Sequence, residues 1–402
     1  MPKSIYSTFK GLHKGGTPLD FLAIWKKTFE KATEREVTLF QKTYSDNWFA
    51  YATPQMSLTA AGVQGKYNIR FMATLLADES PTPLRRSDGF DIWTNEIPRV
   101  GHKFFMSSTR LRRLQEVYEN PRLNEAQKVR EIERTLVADI EEAYLGCKDV
   151  MDFIALTALS NWGVAKFQPD INNPGGRTFE IDYNMPDENK IVAGKLWNKA
   201  NSTAGNLDVI LQLNQIITYL KERGIAIGEM LMSEALHTFL RMDAGIRTMV
   251  YGNDKKAKFV TETDLQTLLD DNGLPPITRI TRKMAIDKDG KREPVTPWNS
   301  NMIAFKPAGV IGEIQPAIED SELIEEPDVD YVNAGNGIRI AKWRTGESTG
   351  QQAGEYTQGS GRLLPIISDI NGIAQFQVLG FAEKTLPADK YFWLKNDYDA
   401  AT

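Results

Sequence analysis

A very long amphipathic pattern near the middle of the chain constrains the fold more than any other feature of the sequence. This spacing of apolar residues, every three or four positions, predicts one helix. Asn124 and Gln127 form a capping-box pattern at its start. About 39 residues would extend roughly 55–60 Å, well beyond the average helix. The apolar positions are Val129, Ile132, Leu136, Ile140, Ala143 or Tyr144, Cys147, Met151, Ile154, Ala158 and Trp162.

A helix of this length has no room as an ordinary core helix of a compact domain. It could form a coiled-coil seam, but its register is not a clean heptad and Gly146 would weaken a zipper. We therefore predict a long helix that lies across a sheet.

The segment before this helix predicts a projecting hairpin. Residues 67–75 alternate strictly between apolar and polar side chains, which indicates a strand with one covered face. A charged, Pro-rich stretch, 78–88, separates it from a second extended segment that runs from Phe90 to Val100. A hairpin of this size with no helix to cover it needs a partner to lie on. Residues 1–53 read as an arm with one or two short helices.

A second lobe is predicted after the irregular stretch 169–204. Its predicted elements are a helix over 206–223 ended by Gly224, a strand over 225–232, a helix capped by Ser233 and a helix over 262–271. We also predict a hairpin of 277–286 with 301–311 that turns at Asp287–Gly290. The last strands, from Gly337 to Lys395, are expected to return to the first lobe.

Composition excludes several classes of protein. The 402 residues carry 48 Lys and Arg against 53 Asp and Glu, a net charge of -5 that is too near neutral for a dedicated nucleic-acid binder. Cys147 is the single cysteine, which fits a reducing compartment. The first 16 residues are polar, and no stretch approaches the roughly 18 apolar residues that would span a bilayer, so we expect neither export by a signal peptide nor a membrane anchor.

Three motifs resemble functional sites, and each has a simpler explanation. Gly346–Gly350 matches the nucleophile elbow around Ser348, but all three histidines, His13, His102 and His237, lie upstream of it. Asp287–Gly290 resembles the start of a calcium loop, yet Lys291 and Trp298 stand where acidic ligands are needed, so a hairpin turn is expected. The acidic run 319–330 could hold a divalent cation or form a solvated loop. We expect no catalytic residue, no metal site and no cofactor.

A basic cluster precedes the long helix. Arg110, Arg112 and Arg113 are the best candidates for meeting phosphate groups of DNA. The alternative is a solvated face or pairing across an interface between subunits, and this alternative is favoured.

The order of these parts resembles the Hong Kong 97 phage coat-protein fold, in particular the lambda-type major capsid proteins, over roughly residues 35–395. Each matching motif alone is weak, and the specificity comes from their order. The matching motifs are Pro83-Leu84-Arg85, Ile97-Pro98, Asp182 and Asp187 with Trp197 ahead of Asn206-Leu207-Asp208, the strand and helix of Ile225–Leu240, Phe305–Gly309, and Leu364-Pro365 with Asp369.

The resemblance implies an α+β fold and a division of the chain into five parts. These are an N-terminal arm (1–53), an E-loop hairpin (54–105), a P-domain with the spine helix (106–205), an A-domain (206–335) and C-terminal strands that return to the P-domain (336–402). The function implied is that of a non-enzymatic major capsid protein, whose hexamers and pentamers form an icosahedral phage head around double-stranded DNA.

The resemblance also implies partners and contacts. Expected partners are further copies of the chain, a portal, packaged DNA held non-specifically and, as an option, a decoration protein. A separate scaffolding protein is also expected, because no long helical leader precedes the arm. No membrane is expected to be involved. Assembly would occur in the host bacterial cytoplasm. The expected contacts between subunits at the E-loop are Arg85, Arg86, Asp88, Phe90 and Trp93. Because no lysine lies between Lys66 and Lys103, we expect no Lys–Asn crosslink from the hairpin.

Three alternatives remain open from the sequence. An encapsulin-like nanocompartment would share the fold but enclose protein cargo. A serine hydrolase would use Ser348 as nucleophile. A monomeric binding protein would not assemble at all.

Overall fold

The structure is a computed structural model that describes residues 13–14, 17–18, 43–64, 91–252, 259–346, 353–387 and 390–401. The strands are β1 (His13–Lys14), β2 (Thr17–Pro18), β3 (Phe49–Tyr51), β4 (Thr59–Gln64), β5 (Asp91–Glu96), β6 (Arg99–Ser107), β7 (Val164–Phe167), β8 (Phe179–Asp182), β9 (Lys190–Ala193), β10 (Glu229–Ser233), β11 (Ile277–Ile280), β12 (Met284–Lys288), β13 (Lys291–Val295), β14 (Met302–Lys306), β15 (Gly312–Ala317), β16 (Asp330–Gly335), β17 (Ile338–Thr345), β18 (Gly354–Ile367), β19 (Ala374–Gln377) and β20 (Phe392–Leu394). The helices are α1 (Ser45–Trp48), α2 (Ser108–Glu119), α3 (Glu125–Ser160), α4 (Lys199–Thr203), α5 (Val209–Glu222), α6 (Glu234–Met242), α7 (Ala244–Tyr251), α8 (Glu262–Asp271), α9 (Asp320–Leu323) and α10 (Lys395–Ala400).

The predicted long helix is confirmed as α3. It has 36 residues, which corresponds to about 54 Å. The predicted capping box is also present, because the Asn124 side chain accepts from the Gln127 backbone N–H and the Gln127 side chain accepts in return from the Asn124 N–H.

Helix α3 lies across the first sheet, as predicted. In this sheet β18 is the central strand: its first half runs between β17 and β6, and its second half pairs with β15. The apolar face of α3 and the inner face of the sheet form one core, with Ile140, Tyr144 and Ile154 packed in a cluster that includes Ile340 and Leu363. Helix and strand approach closely at Gly359, where an added Cβ would lie 2.1 Å from the Ala143 carbonyl oxygen.

The second sheet has the strand order β11-β10-β14-β19-β9-β20 and its own core. Helix α5 packs on it through Leu213, Ile216 and Leu220, and it ends as predicted at Gly224, which has φ +77. The Ile225 N–H donates to the Leu220 carbonyl at 2.9 Å, which closes a Schellman motif at the helix end. The predicted cap at Ser233 and the helix over 262–271 are also confirmed.

One predicted pairing of strands is wrong. The predicted hairpin of 277–286 with 301–311 does not form, because β11 and β14 are not neighbours and pair with opposite edges of β10. The actual hairpin is β12–β13, and its turn does lie at the predicted place, with Asp289 at φ +54 and Gly290 at φ +76.

The strands divide between the two sheets differently from the order in which they follow along the chain. Strands β15 and β16, which the prediction assigned to the second lobe, belong to the first sheet. Of the final strands, β17 and β18 return to the first sheet, whereas β19 and β20 join the second. The reason is that apolar alternation marks a strand but carries no information about which sheet buries it.

Candidate functional site

The root of the predicted hairpin is a two-stranded antiparallel ribbon. Strand β4 pairs with β5 from Thr59↔Glu96 to Gln64↔Asp91, and the described part of this ribbon ends at those two residues. Pairing in this register confirms a hairpin at its root. The alternating segment 67–75 and the predicted contact residues Arg85, Arg86, Asp88 and Phe90 lie outside the described residues.

Trp93 anchors this root to the body of its own subunit. The side chain is 4% exposed, and its indole Nε1–H donates to the Asp182 carbonyl oxygen at 2.6 Å. Its ring stacks on Tyr183 with a centroid separation of 5.1 Å. The Tyr183 hydroxyl donates in turn to the carbonyl of Pro365 in β18. The indole is therefore already buried within its own subunit, and its contact with a neighbouring subunit stays a prediction.

The strand that follows fixes the direction of the root. Ile97 is fully buried, and its N–H donates to the Leu58 carbonyl at 2.7 Å. Strand β6 then pairs with β18 over its full length, from Arg99↔Arg362 to Ser107↔Gly354. The hairpin root is thus followed directly by a strand that pairs with the central strand of the first sheet.

A buried carboxylate in α3 holds the end of the N-terminal arm. Asp152 is fully buried, and its Oδ1 accepts from the backbone N–H groups of Tyr44, at 2.9 Å, and Ser45, at 2.7 Å. Its Oδ2 lies 3.3 Å from Nε of Arg282, which also pairs with Asp149. Burial raises the pKa of Asp152 to about 6, although the hydrogen bonds from Ser45 and Tyr44 and the charge of Arg282 oppose this shift.

The same arm segment also reaches the second sheet. The Tyr44 hydroxyl donates to the Arg279 carbonyl of β11 at 2.8 Å and accepts from the Thr281 N–H at 3.2 Å. Nearby, the buried Lys306 ammonium of β14 lies over the Trp48 ring at 5.4 Å. The arm therefore joins the long helix to both sheets.

Sequence reasoning missed Asp152 and Arg282, although an aspartate between Met151 and Ile154 on the apolar side of a helix was a visible signal.

The predicted basic cluster lies on α2. Arg110, Arg112 and Arg113 are all exposed, and Arg110 pairs with Asp139 of α3 at 3.4 Å. Helix α2 is fixed below them by Leu114, which packs against Val129 and Ile132 at the start of α3. The structure places the three arginines together on one helix that directly precedes α3.

The acidic run 319–330 is a loop closed by arginines. Glu319, Asp320 and Glu325 each pair with an arginine of the first sheet. Among the described residues no group of three or more potential ligands could hold a metal ion. Ser348 lies outside the described residues, so the geometry of its turn is not tested.

His102 and His237 are engaged in packing. His237 is buried in α6, and burial lowers its pKa. A ring nitrogen of His102 lies 3.1 Å from the Ala143 carbonyl, and the imidazole covers Gly146, where an added Cβ would collide with it. Within the described ranges, no helix is long and apolar enough to cross a membrane.

Comparison with known proteins gives no match among family models and none among curated sequences. Solved structures do match. A protein assigned as the capsid protein of a prophage of E. coli CFT073 aligns with a TM-score of 0.52 and 14% identity, over 88% of this chain and 98% of that one.

Two further structures align more weakly. A phage-related protein of Bordetella bronchiseptica RB50 has a TM-score of 0.44 and 12% identity, over 90% of this chain and 98% of that one. The mature capsid of bacteriophage PhiM1 has a TM-score of 0.45 and 9% identity, over 87% and 90%. The fold assignment rests on the prophage protein alone. The chain has the α+β fold of that structure, which confirms the Hong Kong 97-type fold that the sequence resemblance implied.

Proposed function

We propose that this chain is a major capsid protein, a structural subunit that assembles into the closed icosahedral shell of a phage head around double-stranded DNA. The observation that carries the proposal is the fold: nearly the whole prophage capsid structure is covered, 98% of its length. No catalytic role is part of the proposal.

The geometry supports a role in which copies cover one another. A helix of 36 residues lies across the first sheet, and a separate two-stranded ribbon, β4–β5, forms the hairpin root beside it. The root is stiff, because Trp93 is buried beneath it and β6 continues into the central sheet. A rigid base is what a hairpin needs if it is to hold a neighbouring subunit through many weak contacts.

The proposed contact residues of the hairpin are Arg85, Arg86, Asp88, Phe90 and Trp93, and of these Trp93 is already buried in its own subunit. Replacing Arg85 and Arg86 with glutamate should prevent or misdirect assembly, because each hairpin would bring two reversed charges to its neighbour. Normal shells from this double variant would count against the proposed contact. Proposed partners are further copies of the chain, a scaffolding protein and a portal, and a decoration protein could be added.

We propose a shell without covalent crosslinks from the hairpin, since no lysine lies between Lys66 and Lys103. Denaturing electrophoresis of mature particles should show a single band at the mass of the chain. Covalent multimers would contradict this part of the proposal.

Sedimentation of the expressed protein, with and without the products of its neighbouring genes, tests the function. The proposal predicts large closed particles that protect DNA from nuclease when the packaging proteins are present. Particles that always enclose protein and never DNA would instead favour an encapsulin-like compartment, and a protein that stays monomeric would contradict both.

A further inference from the structure

The loop that joins β15 to β16 is held in one shape by arginines from three strands of the first sheet. The Glu319 carboxylate is fully buried and lies 2.9 Å from the Arg99 guanidinium. Arg339 also donates to the Ser321 carbonyl and lies over the Tyr331 ring at 4.3 Å. The three ion pairs are Arg99–Glu319 from β6, Arg362–Asp320 from β18 and Arg339–Glu325 from β17.

This fixed loop presents two apolar side chains to solvent. Leu323 is 59% exposed and Ile324 is 78% exposed. Burial of these side chains would be favourable, because it would remove apolar surface from water. A flexible loop could fold such residues inward, but the arginines hold this loop in place. An ordered, exposed apolar pair is typical of a surface that binds another protein.

The rim of this apolar pair is acidic. Glu322, Glu326 and Asp328 are exposed around it. A complementary surface exists elsewhere on the chain, on α2, where Arg112 and Arg113 are exposed and form no ion pair with any described residue. Long arginine side chains can cover an apolar surface with their aliphatic stems while the charged ends meet carboxylates.

The two surfaces do not meet within one subunit. The loop is fixed at Arg99, at one end of β6, whereas α2 begins after Ser107, at the other end. The intervening strand is roughly 26 Å long at about 3.3 Å per residue. A second copy of the chain can bring its α2 to this loop.

We propose that the loop over residues 319–328 docks on α2 of a neighbouring copy. Leu323 and Ile324 pack on the stems of the partner's Arg112 and Arg113, and the acidic rim pairs with their guanidinium groups. This inference rests on the proposed function, since it needs copies of the chain side by side. It also assigns the basic cluster to a contact between subunits and not to DNA.

A charge exchange tests the contact directly. One variant carries Glu326→Arg and Asp328→Arg, a second carries Arg112→Glu and Arg113→Glu, and a third combines all four changes. Each double variant should lower the yield of sedimenting particles by roughly tenfold or more, because like charges then face each other at the contact. The quadruple variant should recover most of that yield, since the charges are again opposite. Asp271→Arg, at an exposed position of α8, is the matched control and should leave the yield unchanged.

A disulfide test probes the same contact without reversing any charge. Burial raises the pKa of Cys147, the only natural thiol, to about 12, so it stays protonated and does not compete. Ile324→Cys together with Arg112→Cys should give oxidised chains linked into ladders, whereas neither single variant should form them.

The results separate this inference from the proposed function. The contact is wrong, and the shell function stands, if wild-type particles form and both charge-reversed variants also assemble normally. The same conclusion follows if the quadruple variant shows no recovery and the cysteine pair does not link. If wild-type protein forms no particles with its companion proteins, the proposed function itself is wrong.

Discussion

The carboxylate of Asp152, in the second half of the long helix, accepts the backbone N–H of Ser45 at 2.7 Å in a fully buried position. This bond connects residues 107 positions apart in the sequence and fixes the end of the N-terminal arm on α3. The same carboxylate also accepts the Tyr44 N–H and forms an ion pair with Arg282, so one side chain satisfies two buried backbone donors and faces one cation.

Replacing Asp152 with alanine should lower the free energy of unfolding by on the order of 2–4 kcal/mol, since two buried N–H groups would lose their acceptor. Denaturant unfolding of the unassembled subunit measures this change. Asp271→Ala, at an exposed position, should have almost no effect. Equal stabilities of the two variants would show that the arm is not held by this carboxylate.

The raised pKa of Asp152 also predicts a pH dependence. Its pKa is about 6 in the folded chain against 3.8 ordinarily, so the folded state binds this proton more tightly than the unfolded state does. The resulting stabilisation is fully present below about pH 4 and is lost as the pH rises through about 6, with an amplitude on the order of 2–3 kcal/mol.

The comparison with Asp152→Asn isolates this contribution, because asparagine keeps an acceptor oxygen but does not titrate. Between pH 7 and pH 4 the wild-type protein should gain stability relative to the variant. A difference that is flat over this range, or that runs the other way, would mean that Asp152 does not titrate as described.

Trp93→Ala should destabilise the first lobe by about 3–5 kcal/mol, since it removes a buried indole from the base of the hairpin. Trp93→Phe keeps a ring on Tyr183 and loses the bond to the Asp182 carbonyl, so it should cost less. Thermal unfolding measures both. If the alanine variant were as stable as wild type but defective in assembly, the indole would belong to a contact between subunits after all.

Gly359→Ala should disrupt the packing of α3 on β18, because the new Cβ would lie 2.1 Å from the Ala143 carbonyl oxygen, on a backbone that cannot move aside easily. The expected loss is about 2 kcal/mol or more. Gly346→Ala is the matched control, since no atom lies within 4 Å of its added Cβ. A normal melting temperature for Gly359→Ala would contradict the close approach of helix and strand.

Local features of the fold could be predicted from the sequence because each is encoded by neighbouring residues. The 3.6-residue period and the pair Asn124 and Gln127 defined α3, and Gly224 and Ser233 marked the ends of helices in the second lobe. The pairing of strands could not be read in the same way. Strand β10 lies between β11 and β14, an arrangement that depends on long-range packing that no local pattern carries.

The candidate contacts were predictable only in part, for a related reason. Trp93 looked like an interface residue because aromatic side chains are enriched at interfaces, and only the fold shows that Tyr183 and Asp182 already cover it. In the acidic run 319–330 the error was the opposite one, because a residue expected in solvent is buried. Its carboxylates look solvated in the sequence, whereas Glu319 is fully buried against Arg99, a residue 220 positions away.

Electron microscopy of the purified protein, assembled together with its companion gene products, tests the central claim most directly. The account predicts closed shells of uniform size in which α3 lies within the shell wall and each hairpin crosses onto an adjacent copy. A protein that remains a single compact particle under every assembly condition, with its hairpin folded back on its own body, would contradict it.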